Sequence, residues 1–210
     1  MCPHSGRMRS AIVVLTVVMA TSTGALGAAS DAAAVAIRTY NYAAVPDLEL
    51  AAAKSEAEDI FDKAGISLAW IDCRVPGTNE GAACTEPLLA RDLLLRLVDR
   101  RPRDGERIVA LGESMLDREQ RGGVLMTVDV YPVRDVATGA SMPPSQVLGR
   151  AVAHEIGHLL LGSAEHARLG LMRAHWSRDE LRGLKPAHWG FSAREAARMR
   201  QALRNKRTAN

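Results

Sequence analysis

The chain has 210 residues, with 27 Lys and Arg against 24 Asp and Glu, six His and 47% hydrophobic residues. That apolar content is enough for a packed core and excludes a disordered chain. Setting aside residues 1–29, which hold Arg7 and Arg9 but no acid, leaves 25 basic against 24 acidic side chains, a net charge of +1. The charge therefore points to no nucleic-acid partner, and the Arg-rich tail from Arg194 reads as a solvated helix face.

Met1 to about Ala29 has the layout of a secretory signal peptide: Arg7 and Arg9, an apolar run from Ala11 to Ala20, then small residues. The apolar run is about ten residues, short of the roughly twenty that span a bilayer. A cleaved signal is the expectation, with an uncleaved anchor as the alternative, and no membrane span follows it. The expected location is secreted or periplasmic, and residues 30–210 are expected to form one domain. The sequence sets no oligomeric state.

The mature segment begins with a strand over Ala33–Tyr42, where apolar and polar positions alternate. Pro46 opens a helix to about Ala64, with Leu48, Ala52, Ala57, Ile60 and Phe61 as its apolar stripe and Gly65 as its stop. Ile66–Ile71 reads as a second strand, and the strand, helix, strand order favours a parallel pair. Cys73 and Cys84 flank a loop rich in Pro, Gly, Thr and Asn. An exported chain with two thiols is expected to pair them, two free buried thiols being the alternative.

A helix is expected from Pro87 to about Val98, then a charged approach to a strand at Arg107–Leu111. A loop holding Gly112, Gly122 and Gly123 leads to a strand over Val124–Val133, and Thr138–Ser145 reads as a loop. Near the C-terminus, a short helix is expected from Arg178 to about Leu184. Ser192 and Glu195 form a capping box for a last helix to about Asn205, with Phe191 placed to staple it to the core.

The chemistry is concentrated between Gln146 and Trp176. A helix starting near Pro144 or Ser145 carries His154, Glu155 and His158 as HExxH. At 3.6 residues per turn the two histidines share a face, so two imidazoles can ligate one zinc ion. Glu155, directly after the first, can reach a water at the metal without ligating it, as the general base of a zinc hydrolase must. The flanking Val152, Ala153, Ile156, Gly157, Leu159, Leu160 and Leu161 are uncharged, as a helix buried beneath a cleft requires. Gly162 suits its C-terminus.

A catalytic zinc takes three protein ligands and keeps a fourth position open. His166, eight residues after His158, is the leading third ligand; Glu165 and Glu180 are rivals. In a structural site His175 would close the fourth position, making the chain a non-catalytic binding protein.

His154, Glu155, His158, Gly162, His166 and Met172 resemble the long motif of the metzincin zinc peptidases. Its pattern is HExxHxxGxxH followed by a methionine turn. Here the glycine falls four and the third histidine eight residues after His158, both later than in that pattern. The run HEIGHLLLG, then His, then Gly-x-Met, is also similar to secreted bacterial metalloprotease-like proteins. The resemblance implies an α+β, zincin-like single domain with a mixed twisted sheet, an active-site helix, a backing helix and a C-terminal helix. It implies zinc as cofactor, peptide or protein as substrate, and a non-ligating Met172 beneath the metal. It also implies that residues 123–131 border the cleft and pair with substrate by strand addition, the alternative being an ordinary edge strand.

Overall fold

Two strand–helix units are followed by three successive strands and then by the remaining helices. The computed structural model describes residues 33–73, 82–102, 110–117, 122–184 and 188–208. The expected signal peptide lies outside these residues, as does most of the strand expected at Arg107–Leu111. Strand β1 (Ala33–Asn41), helix α1 (Asp47–Asp62) and strand β2 (Ile66–Cys73) follow the expected order, and β1 and β2 pair in parallel. Gly65, at φ 69°, makes the turn between α1 and β2, a backbone conformation that glycine adopts without a Cβ penalty.

The buried face of α1 is Leu50, Ala53, Ala57, Ile60 and Phe61. Leu48 and Ala52, expected in the stripe, are exposed, Leu48 at 88%. At about 100° per residue Leu48 and Ala52 fall on the side of the helix away from Ala57, Ile60 and Phe61, and Leu50 and Ala53 complete the face that the tertiary partner covers. That partner is helix α4 (Pro144–Leu161). A Cβ built on Gly149 of α4 would lie 2.5 Å from the Ala53 carbonyl oxygen, and Arg150 Nε donates to Glu56 Oε1 at 2.9 Å. Gly149→Ala gains about 1 kcal/mol of helix propensity, but the clash is with backbone that cannot swing aside, and overpacking costs about 1–3 kcal/mol. We expect a lower melting temperature in thermal unfolding; an unchanged or raised value would contradict this packing.

After Cys73 the chain reaches a short helical turn, α2 (Ala82–Thr85), where Cys84 closes a disulfide with Cys73 across 5.6 Å between Cα atoms. The expected helix from Pro87 to Val98 does not form. Asp92–Val98 is strand β3, parallel to both β1 and strand β5 (Gly122–Asp129). Leu93, Leu95 and Leu97 are all buried on one face, a period of two that outweighs leucine's helix preference once neighbouring strands supply the hydrogen bonds. Arg38 secures the approach to β3, bonding Asp92 at 2.9 Å and the carbonyls of Glu86 and Pro87.

The sheet order is β2-β1-β3-β5-β4, where strand β4 (Gly112–Asp117) is antiparallel to β5. This corrects two expectations. Gly112–Asp117 is a strand rather than a loop, and β5 is interior, since it pairs on both sides. The cleft-side edge is therefore β4, not residues 123–131. The expected strand at Val124–Val133 also stops at Asp129, whose side chain accepts from the Tyr131 N–H and caps helix α3 (Val130–Ala140). Pro132 falls in the first turn, where no backbone donor is required. Val130, Val133, Ala137 and Ala140 give α3 its buried face, so the region expected to be a loop from Thr138 begins only after Ala140.

Helix α5 (Arg178–Leu181) and helix α6 (Ala193–Thr208) complete the chain. The Ser192–Glu195 capping box is present, Phe191 packs on Phe61 at 4.9 Å between ring centroids, and Ala196, Met199 and Leu203 are buried. The result is the expected α+β arrangement, a mixed five-stranded sheet with α4 lodged between the sheet, α1 and α6. No helix of the described residues is long and apolar enough to cross a membrane.

Candidate metal centre

Pro144 opens α4 at a position where its missing N–H costs nothing, and Gly162, at φ 61°, ends it with its N–H on the His158 carbonyl. Between these ends, residues 147–160 are all buried, including His154, Glu155 and His158. The chain then loops back through His166 and makes a turn at Gly170, φ 81°. The Ala167 N–H donates to the Met172 carbonyl at 2.7 Å, which ties the residue after His166 to that turn.

Among the described residues, His154, His158 and His166 form the group that could hold a metal, their ligand atoms all within 4.8 Å of one another. Glu165 and Glu180, the rival ligands, are not in it. Glu165 is exposed beside His166. Glu180 is engaged elsewhere, in a capping box with Ser177 and an ion pair with Arg173. His175 lines the same cavity but does not join the group.

The hydrogen bonds around the rings test whether a metal fits. His154 Nδ1 lies 3.0 Å from the Leu171 carbonyl oxygen and His158 Nδ1 2.7 Å from that of Ser163. A carbonyl only accepts, so each Nδ1 carries the proton and donates. Each Nε2 is left with a lone pair, and the two Nε2 atoms face each other at 3.0 Å. Two ligands of one tetrahedral zinc sit about 3.3 Å apart, given Zn–N bonds near 2.0 Å. Unprotonated nitrogens aimed at one point are a donor set for a cation, and zinc fits it. Burial, opposed by the Leu171 bond, lowers the His154 pKa to about 4, and burial lowers that of His158, so both rings are neutral, as ligands must be.

Glu155 lines the cavity with the three histidines and is only 6% exposed. Burial pushes its pKa up to about 7, against a Ser114 hydrogen bond that lowers it. The cavity is about 500 Å³, with Leu111, Leu116, Val136, Ala151 and Trp176 among its apolar lining. Met172, 1% exposed, lies under α4: a Cβ on Gly157 would come within 2.6 Å of its sulfur. It thus packs on the helix between the two histidine ligands without joining the donor group.

Sequence reasoning missed two contributors. Trp176 Nε1 donates to the Leu171 carbonyl at 3.2 Å, the same oxygen that orients His154, and its ring meets that of His154 edge-on at 5.9 Å. Its place next to His175 was the only signal available. Ser114 lay in a stretch read as loop, so nothing local pointed to it.

Glu180 has a measurable role as an anchor of this segment. The Ser177 hydroxyl and N–H, with the Arg173 guanidinium, hold its carboxyl well below the usual range, at about 2. A depressed folded pKa contributes stability that is present above 4.5 and lost as pH falls through about 2. Glu180→Gln should therefore melt below wild type at neutral pH, and the gap should narrow as pH drops below 4.5. A gap independent of pH would contradict the assignment.

The fold and the cleft together give an α+β domain whose long helix presents two histidines beneath an antiparallel edge strand, with a third histidine completing a group that could hold a metal. No family model and no curated protein matches the sequence. Among solved structures, the chain is similar to a zinc-dependent peptidase from Methanocorpusculum labreanum. The TM-score is 0.51 at 13% identity, over 78% of this chain and 99% of that one. It is also similar to archaemetzincin from Methanopyrus kandleri, with a TM-score of 0.52 at 15% identity, over 84% of this chain and 99% of that one. At these identities the likeness is one of fold.

Proposed function

We propose that the chain is an exported zinc endopeptidase of metzincin type, with His154, His158 and His166 as zinc ligands and Glu155 as general base. The observation that carries this reading is the convergence of two unprotonated Nε2 atoms and His166 in a cleft that also holds Glu155. The described neighbours of matching fold are a zinc-dependent peptidase and an archaemetzincin, which supports the same class. Export is supported by the signal-like segment before Ala29 and by the Cys73–Cys84 disulfide, which suits an oxidising compartment.

His154, His158 and His166 would hold the zinc, which would supply Lewis acidity toward a peptide carbonyl and a water. Glu155 takes a proton from the attacking water and returns it to the leaving amine. The Leu171 and Ser163 carbonyls keep the His154 and His158 rings in the ligating tautomer.

The test is metal analysis of the purified mature chain followed by a fluorogenic peptide-library screen. About one zinc per chain and cleavage abolished by a chelator are expected. Zinc without cleavage of any peptide would favour the non-catalytic reading, and no zinc after reconstitution would remove the centre altogether.

A further inference from the structure

Gly112, Ser114 and Leu116 of the edge strand β4 line the cavity, as does the more exposed Glu113, while Met115 is exposed and outside it. The Ser114 hydroxyl stands 2.7 Å from Glu155 Oε2 and 2.9 Å from the Glu155 backbone carbonyl oxygen. Opposite it, Gly112 leaves the room that the rest of the carboxylate occupies. A Cβ there would lie 2.9 Å from both Glu155 Cγ and Oε1, and 3.0 Å from the Thr127 carbonyl oxygen. Met126 pairs with Ser114 and Val128 with Gly112, so both contacts are held by the β4–β5 ladder.

From this geometry we infer that Ser114 is a positioning residue for proton transfer. Its hydroxyl grips one carboxylate oxygen of Glu155, and side-chain-free Gly112 seats the other, so that the carboxylate keeps one direction across the cleft. A glutamate has three side-chain torsions and would otherwise sweep the cavity it lines. A general base must be within hydrogen-bond reach of its proton, so orientation acts on the rate of the step and not on substrate binding. The inference rests on Glu155 serving as general base, and it places that role under the control of the edge strand.

The experiment pairs kinetics with crystal structures of the zinc-loaded wild type, Ser114→Ala and Ser114→Thr. The substrate is the library peptide that the wild type cleaves fastest. Ser114→Ala should keep its zinc and its KM and lose roughly 10–100-fold in kcat, the usual scale for removing an orienting partner. In its structure the Glu155 carboxylate should be rotated or spread over several rotamers. Ser114→Thr, which restores the hydroxyl, should recover most of the rate. Gly112→Ala should lower kcat in the same way by displacing Oε1. Wild-type kcat in Ser114→Ala, or an unmoved Glu155 in its structure, would overturn the inference. If the wild type cleaves no peptide, the peptidase reading fails, while the paired structures still decide whether Ser114 holds Glu155.

Discussion

Glu155→Ala should bind zinc as well as the wild type and lose nearly all peptide hydrolysis. Glu155 shares the cavity with the histidines but is not a member of their donor group, so its removal leaves the ligand set intact. Proton transfer by a placed side chain is worth about 10²–10⁴ in rate, and in the proposed mechanism Glu155 serves both the attack and the departure of the amine. We therefore expect kcat to fall by at least about a hundredfold with one zinc retained per chain. The loss should exceed that of Ser114→Ala, which only disorients the same carboxylate. Equal activity in Glu155→Ala would end its assignment as base, and a loss of zinc would make it a ligand instead.

His166→Ala should lose zinc, while Glu165→Ala and Glu180→Ala keep it. Among the described residues, His166 is the one that brings a third donor within 4.8 Å of the His154 and His158 nitrogens. Changes that merely disturb a ligand's supporting shell cost about 10–100-fold in metal affinity, and deleting a ligand must cost more. Competition with a chelator of known affinity, read by the metal content of the protein, gives the ratio directly. Because His166 is exposed, the variant should fold with little change in the metal-free melting temperature. Zinc bound as tightly in His166→Ala as in the wild type would move the third ligand elsewhere. A third ligand at Glu180 would require its cap with Ser177 and its pair with Arg173 to break, which ties this result to the acid behaviour of Glu180.

The two predictions differ in where their residues could be found. His154, Glu155 and His158 lie within five positions of one another, and helical geometry alone places the two histidines on one face. His166 lies beyond a glycine cap, at a spacing the family pattern does not share. Its place beside the other two depends on the backbone bond from Ala167 to Met172, which joins two separate parts of the loop. Ser114 is further still, on a strand whose six residues begin with glycine and whose burial alternates only between half-buried and exposed. As an edge strand exposed along one side it carries little hydrophobic signal.

The same division runs through the fold. Local sequence was enough for helix α4 and its glycine stop, the β1–α1–β2 unit, the disulfide and the Ser192–Glu195 capping box, whereas the Ser177–Glu180 box of α5 came only with the structure. Each of the former could be read from the spacing and propensity of neighbouring residues, even where the contact that results, such as the β1–β2 pairing, is longer in range. Tertiary structure decided that Asp92–Val98 is a strand and that Gly112–Asp117 closes the sheet at the cleft. It also turned Val130–Ala140 into a helix and faced α1 with Leu50 and Ala53 rather than Leu48 and Ala52. A leucine-rich run satisfies its backbone equally well in a helix or between two strands, and a valine-rich one does too. What breaks the tie is which partners lie alongside, and those partners are supplied by distant parts of the chain.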